Sequence, residues 1–215
     1  MSKDEALNYQ WLFARNAPEP QAVAPTKRRK YDFAVAYPDP ASVPVEGLVD
    51  ALKEALEQEG RDLAVYPHPE GYPPLREFVA SKLARDRNIQ VSADDIILAD
   101  GSSQPIHMLV EALVDPGDVV VTEDYVYSGT LRTLRRFQAD VRGVPCDQEG
   151  MLPDALESTF RAAVAEDKRP KLVYTIPTFQ NPQGWTMTLE RRRELLRLSE
   201  KYGVPIMEDD CYVDL

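Results

Sequence analysis

Three consecutive carboxylates, Glu208-Asp209-Asp210, follow the apolar run Val204-Pro205-Ile206-Met207 and precede Cys211 and Tyr212. The apolar run predicts a buried strand whose carboxyl end carries concentrated negative charge. In a parallel sheet, this end of a strand is where ligands bind. A carboxylate in a low-dielectric crevice is costly unless it meets a cation, so a metal ion or a protonated ring nitrogen is expected opposite it. The alternative is a solvated acidic loop after the strand.

A second candidate site is the segment Asp100-Gly101-Ser102-Ser103-Gln104, which joins another predicted strand to a helix. Glycine permits a tight turn, and the amides and hydroxyls at a helix N-terminus form an anion site that suits phosphate. The alternative is that Ser102 only caps its helix. No glycine-rich nucleotide motif is present, so this segment does not by itself indicate a nucleotide.

Tyr127 and Asn181 follow two further predicted strands. Tyr127 could lie flat against a planar ligand, or it could pack on its own helix. Asn181 precedes Pro182 and could donate its amide to a ligand oxygen, or it could only form a turn. Since all these groups lie at the carboxyl ends of predicted strands, they would converge on one crevice. Together these groups predict a site for a phosphorylated, protonatable aromatic ring.

The composition excludes several classes of protein. A chain of 215 residues that is 43% hydrophobic and 28% charged is typical of one large globular domain or slightly more. The net charge of −11 argues against general nucleic-acid binding, which requires a basic face. No apolar run approaches the roughly 20 residues of a membrane span, and the first residues form no signal peptide. A cytoplasmic location is therefore expected, with no membrane partner.

The cysteines and histidines argue against a metal site. Cys146 and Cys211 are far apart in the sequence, and the only histidines are His68 and His107. Few thiolate or imidazole ligands are therefore available. Two distant cysteines are also typical of a reducing compartment. We expect no bound metal.

From Asp95 onward, short apolar runs alternate with longer helical patterns. The predicted strands are 96–99, 119–121, 141–144, 171–176 and the run that begins at Val204. The predicted helices are 102–113, 127–137, 153–165 and 189–202. This alternation predicts an α/β fold of three layers, αβα, with a mostly parallel sheet covered on both faces.

The first 90 residues are predicted to form an N-terminal arm and a smaller segment. A helix at 4–15 precedes proline residues and the basic run Lys27-Arg28-Arg29-Lys30, which is either a solvated linker or a nucleic-acid patch. Residues 31–36 are expected to be extended, and a helix should begin at Pro44 and end at Gly60. The proline-rich loop 64–74 and a helix at 75–88 follow. We expect three regions, 1–30, 31–90 and 91–215.

Six motifs occur in a characteristic order. They are Tyr66…Gly71-x-x-x-Leu75-Arg76, Gly101-Ser102-Ser103-Gln104, Pro116-Gly117-Asp118, Glu123-Asp124-x-x-Tyr127, Asn181-Pro182-x-Gly184 and Glu208-Asp209-Asp210-x-Tyr212. This order resembles the fold type I pyridoxal-phosphate enzymes over residues 31–215. It is most similar to class I/II aminotransferases of the aminoadipate/kynurenine branch and to the related effector domains of transcription regulators.

The resemblance implies that pyridoxal 5′-phosphate is the cofactor and that several residues bind it. Ser102 and Ser103 would hold the cofactor phosphate, and Tyr127 would stack on the pyridine ring. Tyr66 would reach the phosphate in the partner subunit, which implies a homodimer with shared sites.

Three further roles follow from the same resemblance. Asn181 and Tyr212 would bond the phenolic oxygen of the ring. Asp209 would pair with the protonated ring nitrogen, so that the ring could accept electrons when the substrate Cα loses its proton. The implied reaction moves an amino group between an amino acid and a 2-oxo acid.

The sequence also departs from the family pattern. Tyr125 and Cys211 stand where the family often has proline, and Tyr37 stands where a glycine is usual. None of the lysines stands in the motif of the family's Schiff-base lysine, which lies later in the family. We therefore expect an N-terminal fragment that is inactive alone, with no catalytic residue of its own and an unpaired sheet edge beside residues 204–209.

Three alternatives to the aminotransferase remain. One is a ligand-sensing effector domain of a transcription regulator, which requires a winged helix-turn-helix domain upstream. The 30 residues before Tyr31 are too few for such a domain. Another is a different pyridoxal-phosphate reaction, such as decarboxylation or elimination. The third is a dimerising, non-catalytic module.

Overall fold

The computed structural model describes residues 12–14, 17, 30–31 and 39–214. The described residues form two compact units, one of residues 30–31 and 39–98 and the other of residues 12–14, 17 and 99–214. The helix predicted at 4–15, the extended segment at 31–36 and Tyr37 lie almost wholly outside the described residues. The three regions predicted from the sequence stay a prediction.

The unit of residues 30–98 contains two long helices. Helix α1 spans Val45–Glu59, between Pro44 and Gly60 as predicted, and helix α2 spans Pro73–Arg87. Short 3-10 helices lie at Pro40–Ser42, Gly60–Ala64 and Ala93–Asp95. The α2 side chain Arg76 is buried, and its Nε donates to the Ile96 carbonyl oxygen at 2.8 Å. This buried guanidinium fixes the segment that follows α2.

The prediction of a strand at residues 96–99 is wrong. These residues pair with no strand among the described residues. The Leu98 amide donates instead to the Glu70 carbonyl oxygen at 2.9 Å, and Ile97 is 61% exposed. An apolar run becomes a strand only where a neighbouring strand offers its backbone groups, and no described strand does so here.

The unit of residues 99–214 contains alternating strands and helices. Its strands are β1 (Val119–Glu123), β2 (Asp140–Val144), β3 (Cys146–Asp147), β4 (Gly150–Met151), β5 (Leu172–Thr175) and β6 (Ile206–Glu208). Its helices are α3 (Ser103–Leu113), α4 (Ser128–Arg136), α5 (Pro153–Ala165) and α6 (Leu189–Tyr202). Each predicted helix of this unit is therefore present within about a residue at either end. The short antiparallel hairpin of β3 and β4 was not predicted, because two-residue strands give no periodic signal.

The main sheet is parallel and lies between two helical layers. Its strand order is β2-β1-β5-β6, with every neighbouring pair parallel. Val119 and Val121 pack in one buried cluster with α5 and α6, and Val120 packs in another with α3 and α4. Successive residues of a strand point to opposite faces, so this division confirms the predicted three-layer α/β fold.

Strand β6 lies at one edge of the described sheet, as predicted. It pairs with β5 through Tyr174 opposite Met207 and Thr175 opposite Glu208. The carboxyl ends of β5 and β6 therefore lie side by side.

Among the described helices, none combines the length and the apolarity that crossing a bilayer requires.

Helix α6 should be held to the sheet by one face only. Leu198 is fully buried in the cluster of α5 and α6, whereas Leu196 on the same helix is 54% exposed. Leu198→Ala should lower the free energy of unfolding by about 2–5 kcal/mol, because it leaves a cavity. Leu196→Ala should change it by no more than about 0.5 kcal/mol. Urea unfolding of both variants measures the difference, and equal losses would contradict the packing described.

Candidate functional site

One cavity at the carboxyl ends of the strands brings together most of the predicted site residues. Its volume is about 120 Å³, several times the space of one water molecule. The lining residues are Ser102, Tyr127, Ile176, Asn181, Asp209, Cys211 and Tyr212. Five of these were singled out in the sequence. The parallel sheet explains this convergence for the residues that follow its strands, because all the strands end on the same side, whereas Ser102 lies at the N-cap of α3.

Asp209 follows β6 directly and is partly buried. Its amide donates to the Thr175 carbonyl oxygen at 2.9 Å, which extends the pairing of β5 and β6 by one residue. Its Oδ2 accepts a hydrogen bond from the Tyr174 hydroxyl at 2.6 Å. The alternative of a solvated acidic loop is therefore wrong for Asp209, although Glu208 is exposed.

Tyr174 is a site-forming residue that the sequence reasoning missed. It is fully buried in β5, yet its hydroxyl reaches the cavity carboxylate. Burial raises the pKa of Tyr174, and the hydrogen bond to Asp209 raises it further. The phenol therefore remains a protonated donor. The available signal was a hydroxyl-bearing ring in a short buried strand, next to the hydroxyl of Thr175.

Tyr127 lies at the start of α4 and lines the cavity, although it also packs against the buried cluster of α3 and α4. Gly129 permits this position. A Cβ at residue 129 would overlap the Cε1 atom of the Tyr127 ring. Glycine is otherwise unfavourable in a helix, so the close approach of the ring gives its physical reason here. Gly129 was also missed in the sequence.

Asn181 and Tyr212 lie within 3.5 Å of each other, measured from Asn181 Nδ2 to the Tyr212 hydroxyl oxygen. The bond between Asn181 and Pro182 is cis. The loop is held by buried Gln180, whose Nε2 donates to the Tyr125 carbonyl oxygen at 2.7 Å and whose Oε1 accepts from the Gln183 amide at 2.7 Å. An amide and a phenol are thus presented to the cavity together.

Ser102 occupies the N-cap position of α3, but its side chain makes no capping hydrogen bond. The hydroxyl is therefore not used by its own helix, contrary to the simple N-cap alternative. Gly101 adopts a φ of 66°, which favours glycine, and Gln104 Oε1 accepts from the Asp100 amide at 2.6 Å. Ser103 is the first residue of α3 and does not line the cavity.

Tyr66 belongs to the unit of residues 30–98 and is 98% exposed. The role predicted for it depends on a partner subunit and stays a prediction.

The cavity offers no activated thiol nucleophile. Cys211 lines it, but burial and the charge of Asp209 raise the pKa of the Cys211 thiol. A raised pKa leaves the neutral thiol, which is a poor nucleophile. Within the residues that the structure describes, no three His, Cys, Asp or Glu side chains are grouped so as to hold a metal ion.

Comparisons with known proteins identify the family of this chain. The family described as aminotransferase class I and II matches residues 34–215. The chain belongs to this family. Pyridoxal 5′-phosphate is the cofactor of class I/II aminotransferases, and the chain carries the ordered motifs on which the resemblance to them was based.

Individual relatives of this aminotransferase-family chain include enzymes and a regulator. It is 36% identical over 183 residues to aromatic-amino-acid aminotransferase 1 of Thermococcus litoralis, covering 85% of the chain and 44% of that protein. The solved kynurenine aminotransferase of Pyrococcus horikoshii, in complex with PMP, is 35% identical with a TM-score of 0.75, covering 80% of this chain and 43% of that one. The HTH-type transcriptional regulator YisV of Bacillus subtilis is 35% identical over 150 residues, covering 70% of this chain and 30% of its own length. The chain thus spans less than half the length of these proteins.

A second carboxyl group of this aminotransferase-family chain binds the backbone of Ile176, which lines the cavity. Glu123 at the end of β1 is fully buried, and its Oε1 accepts from Thr175 Oγ1 at 2.6 Å and from the Ile176 amide at 2.9 Å. These bonds hold the end of β5, from which Ile176 reaches the cavity. Burial raises the pKa of Glu123, and the two hydrogen bonds offset only part of that effect.

Glu123 should make the stability of the chain depend on pH. Because its folded-state pKa is raised, the stability it contributes is fully present below its ordinary pKa of 4.5 and is lost as the pH rises through the raised value. The free energy of unfolding of the wild type, minus that of Glu123→Gln, should therefore decrease as the pH rises above the ordinary pKa of 4.5. Urea unfolding at a series of pH values measures this difference.

Exposed Glu200 on α6 provides the control. Glu200→Gln should follow the wild-type pH profile. A difference between wild type and Glu123→Gln that stays constant with pH would contradict the assignment to Glu123.

Proposed function

We propose that this chain forms the cofactor-binding part of a pyridoxal-phosphate-dependent aminotransferase. The reaction moves an amino group between an amino acid and a 2-oxo acid. The observation that carries the proposal is the Asp209 carboxylate, held at the wall of one cavity with Ser102, Tyr127, Asn181 and Tyr212.

The chemistry of these side chains fits pyridoxal 5′-phosphate. The cofactor has a basic ring nitrogen, a phenolic oxygen, a flat ring and a phosphate. The cavity has one carboxylate for a cation, an amide and a phenol for an oxygen, an aromatic ring, and a hydroxyl at a helix N-terminus. Each chemical feature of the cofactor therefore has a counterpart in the cavity.

Each of these residues would bind a different part of the cofactor. Asp209 would hold a proton on the ring nitrogen, and Asn181 and Tyr212 would bond the phenolic oxygen. Tyr127 would lie against the ring, and Ser102 and Ser103 would bind the phosphate. When bound, the cofactor supplies an electron sink for the substrate's Cα–H bond.

The amine nucleophile of the reaction is not among the described residues of the cavity. None of the described lysines lines it. The activity therefore requires a lysine that these residues do not supply, consistent with a match that covers less than half of each enzyme's length. We propose no catalytic role for any residue of this chain.

Several wider features belong to the same proposal. The substrates would be an amino acid and a 2-oxo acid, and Tyr66 would contribute to the phosphate site of a partner subunit in a homodimer. Three expectations stay predictions: that the protein has no nucleic-acid partner, that it binds no metal, and that it is cytoplasmic.

The second candidate function is that of a ligand-sensing regulator, and it is supported by the 35% identity to the regulator YisV. The enzyme has stronger support, because the Thermococcus enzyme is 36% identical over 85% of the chain, whereas an HTH-type regulator that covers the same share of the chain is 29% identical. Either function would use the same cavity. Turnover of an amino acid by the protein produced from its full coding sequence would favour the enzyme, whereas cofactor binding without turnover would favour the regulator.

Asp209→Ala should abolish most of the affinity for pyridoxamine 5′-phosphate, a form of the cofactor that needs no lysine to bind. The loss should be at least about thirtyfold, because removing one member of a buried charge pair costs roughly 2 kcal/mol or more. Fluorescence titration of the protein with this ligand measures the dissociation constant.

The neighbouring carboxylate provides a matched control. Glu208 is exposed and lies 3.6 Å from Arg192, away from the cavity lining. Glu208→Ala should bind the ligand as the wild type does. Equal affinities of wild type and Asp209→Ala would refute the proposed role of Asp209.

A further inference from the structure

The Tyr174 hydroxyl is a buried polar group with a specific partner in the cavity. Tyr174 lies in β5 and is fully buried, in a cluster whose members Val120, Leu172 and Ile176 are aliphatic. A phenylalanine would fill nearly the same volume. The hydroxyl is therefore not required for packing, and it donates to Asp209 Oδ2 at 2.6 Å.

This bond engages one oxygen of the carboxylate and leaves the other for a ligand. A carboxylate offers about four acceptor positions on its two oxygens, so donation to Oδ2 leaves Oδ1 able to meet a cation. The Cys211 thiol also contacts Asp209, but a thiol is a weak donor. Tyr174 is thus the strong protein donor that orients this carboxylate within the described residues.

We propose that Tyr174 is a positioning residue for the ring nitrogen of the bound cofactor. Its hydroxyl fixes the orientation of Asp209 and shares the negative charge of the carboxylate, so that the proton stays on the ring nitrogen instead of passing to Asp209. This inference rests on the proposed function, since it requires the cofactor to bind in this cavity.

The surroundings keep the phenol in its donor form. Burial is the largest cause that raises the pKa of Tyr174, and Asp209 and Glu123 raise it further, while Thr130 lowers it. Together these effects raise the pKa of Tyr174 above its ordinary value. Tyr174 therefore donates to Asp209 throughout the pH range in which the ring nitrogen would titrate, and a pH profile of that nitrogen reports on the bond without interference from the phenol.

The test uses Tyr174→Phe in the protein produced from its full coding sequence. This change removes one oxygen and keeps the ring that fills the core. Tyr202 gives a matched control, because its hydroxyl donates to the Glu157 carboxylate at 3.0 Å, on helices α5 and α6 and not in the cavity lining. Tyr202→Phe thus also loses a bond between a phenol and a carboxylate.

Two properties are measured with pyridoxamine 5′-phosphate labelled with ¹⁵N in its ring. The first is the dissociation constant, and the second is the ¹⁵N chemical shift of the ring nitrogen as a function of pH, which reports protonation. In Tyr174→Phe the affinity should fall about tenfold or more, as expected for a hydrogen bond to a charged group. At neutral pH the ring nitrogen should carry a smaller share of the proton than in the wild type, because the carboxylate without its Tyr174 bond competes for that proton more strongly. Tyr202→Phe should match the wild type in both.

A second comparison shows whether Tyr174 acts through Asp209. In an Asp209→Asn background, the side chain keeps its shape but has no charge to share. Adding Tyr174→Phe there should leave the pH profile of the ring nitrogen unchanged. A shift as large as in the wild-type background would overturn the positioning role.

The outcomes separate this inference from the proposed function. If the wild type binds the cofactor and Tyr174→Phe changes neither the affinity nor the nitrogen profile, the inference is overturned and the proposed function stands. If the wild type does not bind the cofactor at all, the proposed function fails and the inference fails with it.

Discussion

Adjacent residues of β5 donate their hydroxyl groups to two different carboxylates. Thr175 donates to buried Glu123 on one face of the sheet, and Tyr174 donates to Asp209 at the cavity on the other. The alternation of side chains along a strand makes this division possible. The parallel pairing of β5 with β6 then brings Asp209 beside the end of β5. The position of the cavity therefore depends on the end of this one strand.

The two carboxylates serve different purposes because their surroundings differ. Glu123 is fully enclosed, so burial raises its pKa and it joins the ends of β1 and β5. Asp209 is partly buried and faces a cavity that also offers an aromatic ring, an amide and two hydroxyls. The first carboxylate stabilises the scaffold, and the second is available to a cation. A protonated ring nitrogen is the cation that best matches the remaining side chains.

The sequence predicted the elements that have long periodic patterns, and it predicted most residues of the cavity. Helix α5 and helix α6 begin and end where the pattern placed them, because proline or a capping threonine starts each helix. The strand at 96–99 was wrong because an apolar run does not reveal whether a neighbouring strand is present. Tyr174 and Gly129 were missed because their roles depend on contacts across the fold, to Asp209 and to the Tyr127 ring.

A crystal structure of the protein with pyridoxamine 5′-phosphate would test the central claim most directly. We predict the ligand in the cavity of residues 99–214, with its ring nitrogen about 2.7–2.9 Å from an Asp209 carboxylate oxygen and its ring against Tyr127. The Tyr174 hydroxyl should remain bonded to Asp209. A ligand bound elsewhere, or with its ring nitrogen turned away from Asp209, would contradict the account.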